Sequence, residues 1–142
     1  MVLESLREVL ANTYVLYFKA HSFHWNVEGP DFPQYHEFLG NYYNDLFGAV
    51  DVLAELVRTL DSYAPVSLSR MVDLSSITES TAIPSALDMM KALKTDNDFL
   101  LATLMIAYKA AEDEGELGIS NYLQDRIQAH QKHAWMLKAI TK

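Results

Sequence analysis

The stretch Ser62–Pro84, SYAPVSLSRMVDLSSITESTAIP, decides how the rest of the 142-residue chain is read. It is rich in Ser and Thr, it contains Pro65 and ends on Pro84, and it lacks the three-and-four apolar spacing found on either side. Val66, Leu68, Met71 and Val72 interrupt its polarity with the spacing of a short packing helix. Before it lie two segments whose apolar residues recur on one helical face. Val2–Asn26 carries Leu3, Leu6, Leu10, Thr13, Tyr17, Ala20 and His24, and Phe32–Asp61 carries His36, Leu39, Tyr43, Leu46, Val50, Leu53, Val57 and Leu60. After it come Ser85–Glu112, with Leu87, Met90, Lys94, Asn97, Leu101, Leu104, Tyr108 and Ala111, and Leu117–Ile140, with Leu123, Ile127, His130, Ala134 and Leu137. No segment alternates with the period of a strand.

The breaks within each pair are short, Gly29-Pro30 with Pro33 and Gly115 with Gly118, so each pair is an antiparallel helical hairpin. The second segment, at ~1.5 Å per residue, is roughly 40 Å long. An extended link rising ~3.3 Å per residue reaches back along that length. Two hairpins joined by one long crossover give an all-α fold, a ferritin-like four-helix bundle, with residues 1–142 as a single domain.

Composition narrows the chemistry. The chain has no cysteine, which excludes thiol catalysis, cysteine zinc sites, iron–sulfur clusters and disulfides. Eleven Lys and Arg stand against 19 Asp and Glu, for a net charge of −8, a poor match for nucleic acid or anionic lipid and a better one for cations. The longest nearly unbroken apolar run, Phe99 to Tyr108, is about half of the ~20 residues a membrane-spanning helix needs. The first residues are patterned as a helix and not as a secretion signal, so a cytoplasmic location without membrane partners is expected.

Five histidines in such a chain raise the question of metal. A di-iron core inside one bundle uses Glu-x-x-His pairs, and none of the five histidines has a Glu three residues earlier. The remaining candidates are His21-x-x-His24, His36, and Asp51 with Glu55 one turn further along the same helix face. Imidazole and carboxylate together suit iron, zinc or manganese. His36 and Asp51 are separated by roughly 22 Å of helix at ~1.5 Å per residue, so one chain cannot bring both to one ion. A two-fold antiparallel partner would, and would make two equivalent sites. Taken alone, each histidine also reads as a surface or hydrogen-bonded core residue, and Asp51 with Glu55 as a solvated face. Tyr14, Tyr17, Phe18, Phe23 and Trp25 read as core, and His130-x-x-His133 as a pair favoured by the dipole at the end of its helix.

The string His21-Ser22-Phe23-His24-Trp25-Asn26-Val27-Glu28-Gly29-Pro30-Asp31-Phe32, then Tyr35-His36-Glu37 and Asp51-x-x-Ala54-Glu55, resembles the ferroxidase signature of the Dps family of mini-ferritins. The closing His130-Gln131-Lys132-His133-Ala134-Trp135-Met136-Leu137 is similar to that family's last helix, so the resemblance spans essentially the whole chain. It implies a dodecamer built from two-fold dimers, with His24 and His36 of one subunit and Asp51 and Glu55 of its mate as the catalytic and iron-binding set. It further implies peroxide-driven ferroxidase activity, storage of ferric iron in a hollow shell, and zinc as a substitute metal. Trp25, His21 and Glu37 would support the centre, with Trp25 quenching stray radicals, and Glu112, Asp113, Glu114 and Glu116 would line a pore.

The sequence departs from the family in several places. It shows no Lys/Arg-rich tail before Glu4 or after Thr141-Lys142, so direct DNA binding is not expected. Only Glu37 of Glu37-Phe38-Leu39-Gly40-Asn41 keeps an acidic group, Leu56 replaces the usual Arg, and Asn121 replaces a pore acid. These departures keep open an alternative, a non-enzymatic protective shell or DNA-associated structural protein with degraded iron chemistry.

Overall fold

Helix ends in this chain coincide with residues that satisfy or block the orphan groups of a terminus. The computed structural model describes residues 1–142 and contains five helices: α1 (Val2–Asn26), α2 (Phe32–Thr59), α3 (Leu68–Leu74), α4 (Ala86–Asp113) and α5 (Leu117–Ile140). Ser67 and Ser85 start α3 and α4 by accepting the amide protons of Arg70 and Asp88 on their hydroxyl oxygens. The first turn of α1 is capped at long range, by Glu114, whose carboxylate accepts from the Val2 amide at 2.8 Å. Asp61, with φ +57°, turns the chain out of α2. The expected long helix ended on that residue; the helix itself stops at Thr59.

α1 packs on α2 and α4 on α5 as two hairpins, α1 lies against α4, and the crossover lays α3 along α1. The core is built from leucine layers, among them Leu6, Leu10 and Leu16 of α1, Leu39, Leu46 and Leu53 of α2, and Leu93, Leu100 and Leu104 of α4, all fully buried. Burial of each such side chain contributes ~1.5–3 kcal/mol, most of it offset by the entropy of ordering the chain.

Two expectations are corrected. The buried face of α4 runs through Met89, Met90, Leu93, Asn97, Leu100, Leu104, Ala107 and Ala111, and Leu87 is exposed. The outward face of α4 carries Phe99, Met105 and Ile106, and apolar residues on both sides blur the period. The crossover helix forms, but Val66 (94% exposed), Leu68 and Val72 do not anchor it; Met71 and the buried Ile77 pack on the core instead.

The crossover is held mainly through Asn12, which is fully buried in α1. Its Oδ1 accepts from the Ser76 amide at 2.8 Å and the Ser75 hydroxyl at 2.9 Å, and its Nδ2 donates to Ser76 and Thr103 hydroxyls. Asn12→Ala strands the Ser76 N–H and is expected to cost about 1–3 kcal/mol in urea unfolding, with faster proteolysis between Tyr63 and Pro84.

Candidate metal centre

The last turn of α1 and the first turn of α2 are folded onto each other by the Gly29-Pro30 turn. Gly29 has φ +124°, a conformation that L side chains rarely adopt, and its carbonyl accepts from the Phe32 amide at 3.1 Å. This brings His24 and His36 into face-to-face contact, ring centroids 3.7 Å apart and planes 17° from parallel. Each ring donates Nδ1–H to the other residue's backbone carbonyl, at 2.8 Å in both directions. A carbonyl only accepts, so both imidazoles are the Nδ1–H tautomer and both Nε2 atoms keep a free lone pair. That is the state in which histidine ligates a metal, with the second nitrogen anchored to a backbone carbonyl. Gly40 lets the His24 ring lie against α2; a β-carbon there would meet its Cε1 at 3.3 Å.

His21, one turn earlier, is stacked on Tyr43 at 3.8 Å and 9° and lies 4.2 Å from the Trp25 ring. Its Nδ1 meets the Tyr17 hydroxyl at 3.0 Å. Tyr17 continues the ring cluster to Tyr14 and Phe47. Of the aromatics expected in the core, Phe23 is buried, but Phe18 and Trp25 are 51% and 57% exposed.

Asp51 and Glu55 are exposed on α2 and make no hydrogen bond or ion pair within the chain. Glu37 is exposed on the same helix. No three His, Asp or Glu side chains of one chain converge where an ion could sit. The fold therefore gathers His21, His24 and His36 at one end of the α1–α2 hairpin and leaves Asp51 and Glu55 further along α2. In the acidic turn, Glu114 caps α1, Glu112 accepts from the Ser120 hydroxyl at 2.7 Å, and Asp113 pairs with Lys109 at 3.6 Å. Glu116 precedes α5.

A second polar cluster escaped sequence reasoning. His130 is fully buried, its Nδ1 donating to Asn97 Oδ1 at 2.7 Å and its Nε2 facing Arg126 Nη2 at 3.1 Å. Arg126 grips both Asp45 carboxylate oxygens, at 3.0 and 2.9 Å, and His133 donates to the same carboxylate at 2.8 Å. Tyr42 donates to Asn97 Oδ1 at 3.0 Å. Burial and the neighbouring Arg126 charge push His130 well below the ordinary imidazole range. Burial alone would raise the Asp45 carboxyl, but hydrogen bonds from His133 and Arg126 and the Arg126 charge hold it well below the usual carboxylate range. His130 and His133 thus belong to a network across α2, α4 and α5, and not to a helix end. The available signal was Asn97 and His130 standing in the apolar series of their helices.

The Ferritin-like domain family model matches residues 3–142. The chain is 35% identical over 136 residues to the DNA protection during starvation protein of Brevibacillus brevis, covering 95% of this chain and 91% of that one. It is 33% identical over 145 residues to antigen TpF1 of Treponema pallidum, covering 99% and 80%. Among solved structures, a Dps protein from Bacillus brevis superposes with TM-score 0.95 at 33% identity, over 99% of this chain and 95% of that chain. A Vibrio cholerae Dps protein, described as a member of a broad superfamily of ferritin-like diiron-carboxylate proteins, gives 0.95 at 30% identity over 99% and 89%. Helix order and crossover agree with these relationships, and the chain belongs to the Dps family of ferritin-like proteins.

Proposed function

We propose that this protein oxidises Fe²⁺ with hydrogen peroxide at centres shared between two-fold-related subunits and stores the ferric product inside a dodecameric shell. The observation that carries the reading is the reciprocal His24–His36 anchoring, which frees both Nε2 lone pairs. Its complement is the unpartnered Asp51–Glu55 pair, two hard oxygen ligands with nothing to bind in their own chain. Each subunit offers half of a ligand set, and a two-fold axis joins the halves twice.

Iron is the substrate. Two Fe²⁺ supply the two electrons that one peroxide needs, so 2 Fe²⁺ + H₂O₂ + 2 H⁺ gives 2 Fe³⁺ + 2 H₂O without free hydroxyl radical. The net charge of −8 and the Glu112, Asp113, Glu114 and Glu116 turn draw cations toward the shell and disfavour contact with DNA phosphates. Zinc fits the same imidazole–carboxylate donors as a non-oxidisable competitor. No helix of the chain is long and apolar enough to cross a membrane.

Anaerobic stopped-flow mixing with Fe²⁺ tests this. Peroxide is expected to oxidise iron faster than oxygen does, consuming one H₂O₂ per two Fe²⁺, and zinc is expected to inhibit. A purely monomeric protein by light scattering at neutral pH would overturn the reading, because one chain holds only half a centre.

A further inference from the structure

Tyr17, half-buried in α1, differs from the fully buried Tyr42 in what faces its proton. Tyr42 donates to Asn97 Oδ1 at 3.0 Å, an amide oxygen that cannot take the proton away. Tyr17 instead meets His21 Nδ1 at 3.0 Å. With the phenol as donor in this bond, His21 is the Nε2–H tautomer and its Nδ1 is the base. Burial and the neighbouring Tyr14 and Tyr43 raise the Tyr17 phenol, while burial, and repulsion from His24 whenever that ring is protonated, lower His21. The resting pair is therefore a neutral phenol on a neutral imidazole. The rings are continuous with the candidate centre: Tyr17 to His21 5.6 Å, His21 to Tyr43 3.8 Å, and Tyr43 to His24 5.2 Å between centroids.

We propose that Tyr17 is a redox-active residue of this centre, with His21 as its proton acceptor, supplying one electron when a centre holds a single Fe²⁺. The proposal rests on the iron-oxidation reading above. Peroxide needs two electrons, and a lone Fe²⁺ gives one, which would release hydroxyl radical. Tyr17 gives the second: its O–H bond breaks, the electron passes along the contiguous rings to the peroxide, and the proton moves to His21 Nδ1. Fe²⁺ + Tyr–OH + His + H₂O₂ + 2 H⁺ gives Fe³⁺ + Tyr–O• + HisH⁺ + 2 H₂O. The protonated ring then donates back to the phenoxyl oxygen and holds the radical in place. The next Fe²⁺ returns the electron and His21 the proton, restoring the phenol.

The test is electron paramagnetic resonance on the assembled protein, freeze-quenched after peroxide meets one Fe²⁺ per centre. A tyrosyl radical is expected in the wild type and in Tyr14→Phe and is expected to be lost in Tyr17→Phe, which removes one oxygen and keeps the ring stack. In D₂O the wild-type radical is expected to couple to one exchangeable deuteron, a signature that a purely structural Tyr17 would not produce. Spin-trapped hydroxyl radical is expected to rise in Tyr17→Phe. A radical that survives in Tyr17→Phe, or that resides on Trp25, overturns the proposal. So does a wild type that oxidises iron at two Fe²⁺ per centre and forms no protein radical at one. A wild type that oxidises no iron at either loading instead overturns the centre itself.

Discussion

Two inactive variants, His36→Ala and Asp51→Ala, are expected to regain iron oxidation when their chains are mixed within one assembly. Each alone removes a proposed iron ligand from every centre. Loss of a group that merely orients a ligand costs about 10–100-fold in affinity or activity, so loss of a ligand itself should cost at least about a hundredfold. In a mixed two-fold dimer the two defects fall on the same centre. The other centre takes His24 and His36 from the Asp51→Ala chain and Asp51 and Glu55 from the His36→Ala chain, and is intact. With random pairing, half of the dimers are mixed and half of their centres are whole, so about a quarter of wild-type activity should return.

The measurement is the initial rate with peroxide after the variants are co-refolded, compared with each variant refolded alone. A chain carrying both substitutions, mixed with itself, supplies the baseline and should recover nothing. Ligands drawn from a single chain would give no recovery on mixing, and that result would refute the shared centre. Helix length makes the outcome decisive, because roughly 22 Å of α2 separates His36 from Asp51 at ~1.5 Å per residue.

The course of the backbone was legible because its punctuation is sparse and local. Gly29-Pro30 and Gly115 mark the hairpin turns, and the four long helices begin or end within three residues of those marks. The histidine pair was legible as spacing. Its reciprocal carbonyl bonds were not, since they depend on how the Gly29 turn aims two helix ends at each other. The Asp45–Arg126 grip joins residues 81 positions apart. Nothing local distinguishes Asp45 from an ordinary solvated carboxylate on α2, so only the packing of α5 against α2 assigns its partner. Phe18 and Trp25 misled for the opposite reason: aromatic character suggested burial, whereas α1 turns them away from the bundle.

That same network gives the chain an acid-sensitive core. His130 is neutral in the folded state because burial and Arg126 push it well below its ordinary value of 6.5, whereas in the unfolded chain it takes up a proton near that value. Below about pH 6.5 the unfolded state therefore binds more protons, and stability falls as pH falls, by up to about 1.4 kcal/mol per pH unit. Asp45 adds a second window. Its folded carboxyl is depressed below the ordinary 3.8, so its contribution is complete above that value and is lost as pH falls further. Thermal or urea unfolding at fixed protomer concentration, from pH 7.5 to 4.5, stays above the Asp45 window and so reads the His130 window alone. His130→Leu keeps the Arg126–Asp45 grip and the Tyr42–Asn97 bond, and removes only the titrating ring. Relative to the wild type it is expected to gain up to about 2 kcal/mol between pH 7.5 and 5, the yield of one and a half pH units of this slope. Asp45→Ala should instead destabilise at every pH above 4, by about 3 kcal/mol, because it leaves Arg126 buried without its carboxylate. The lower end of the range for broken buried pairs applies, since the Asp45 side chain keeps 34% of its surface in water. Parallel pH curves for His130→Leu and wild type would show that the imidazole is not the titrating element, and would leave the acid response to the carboxylates alone.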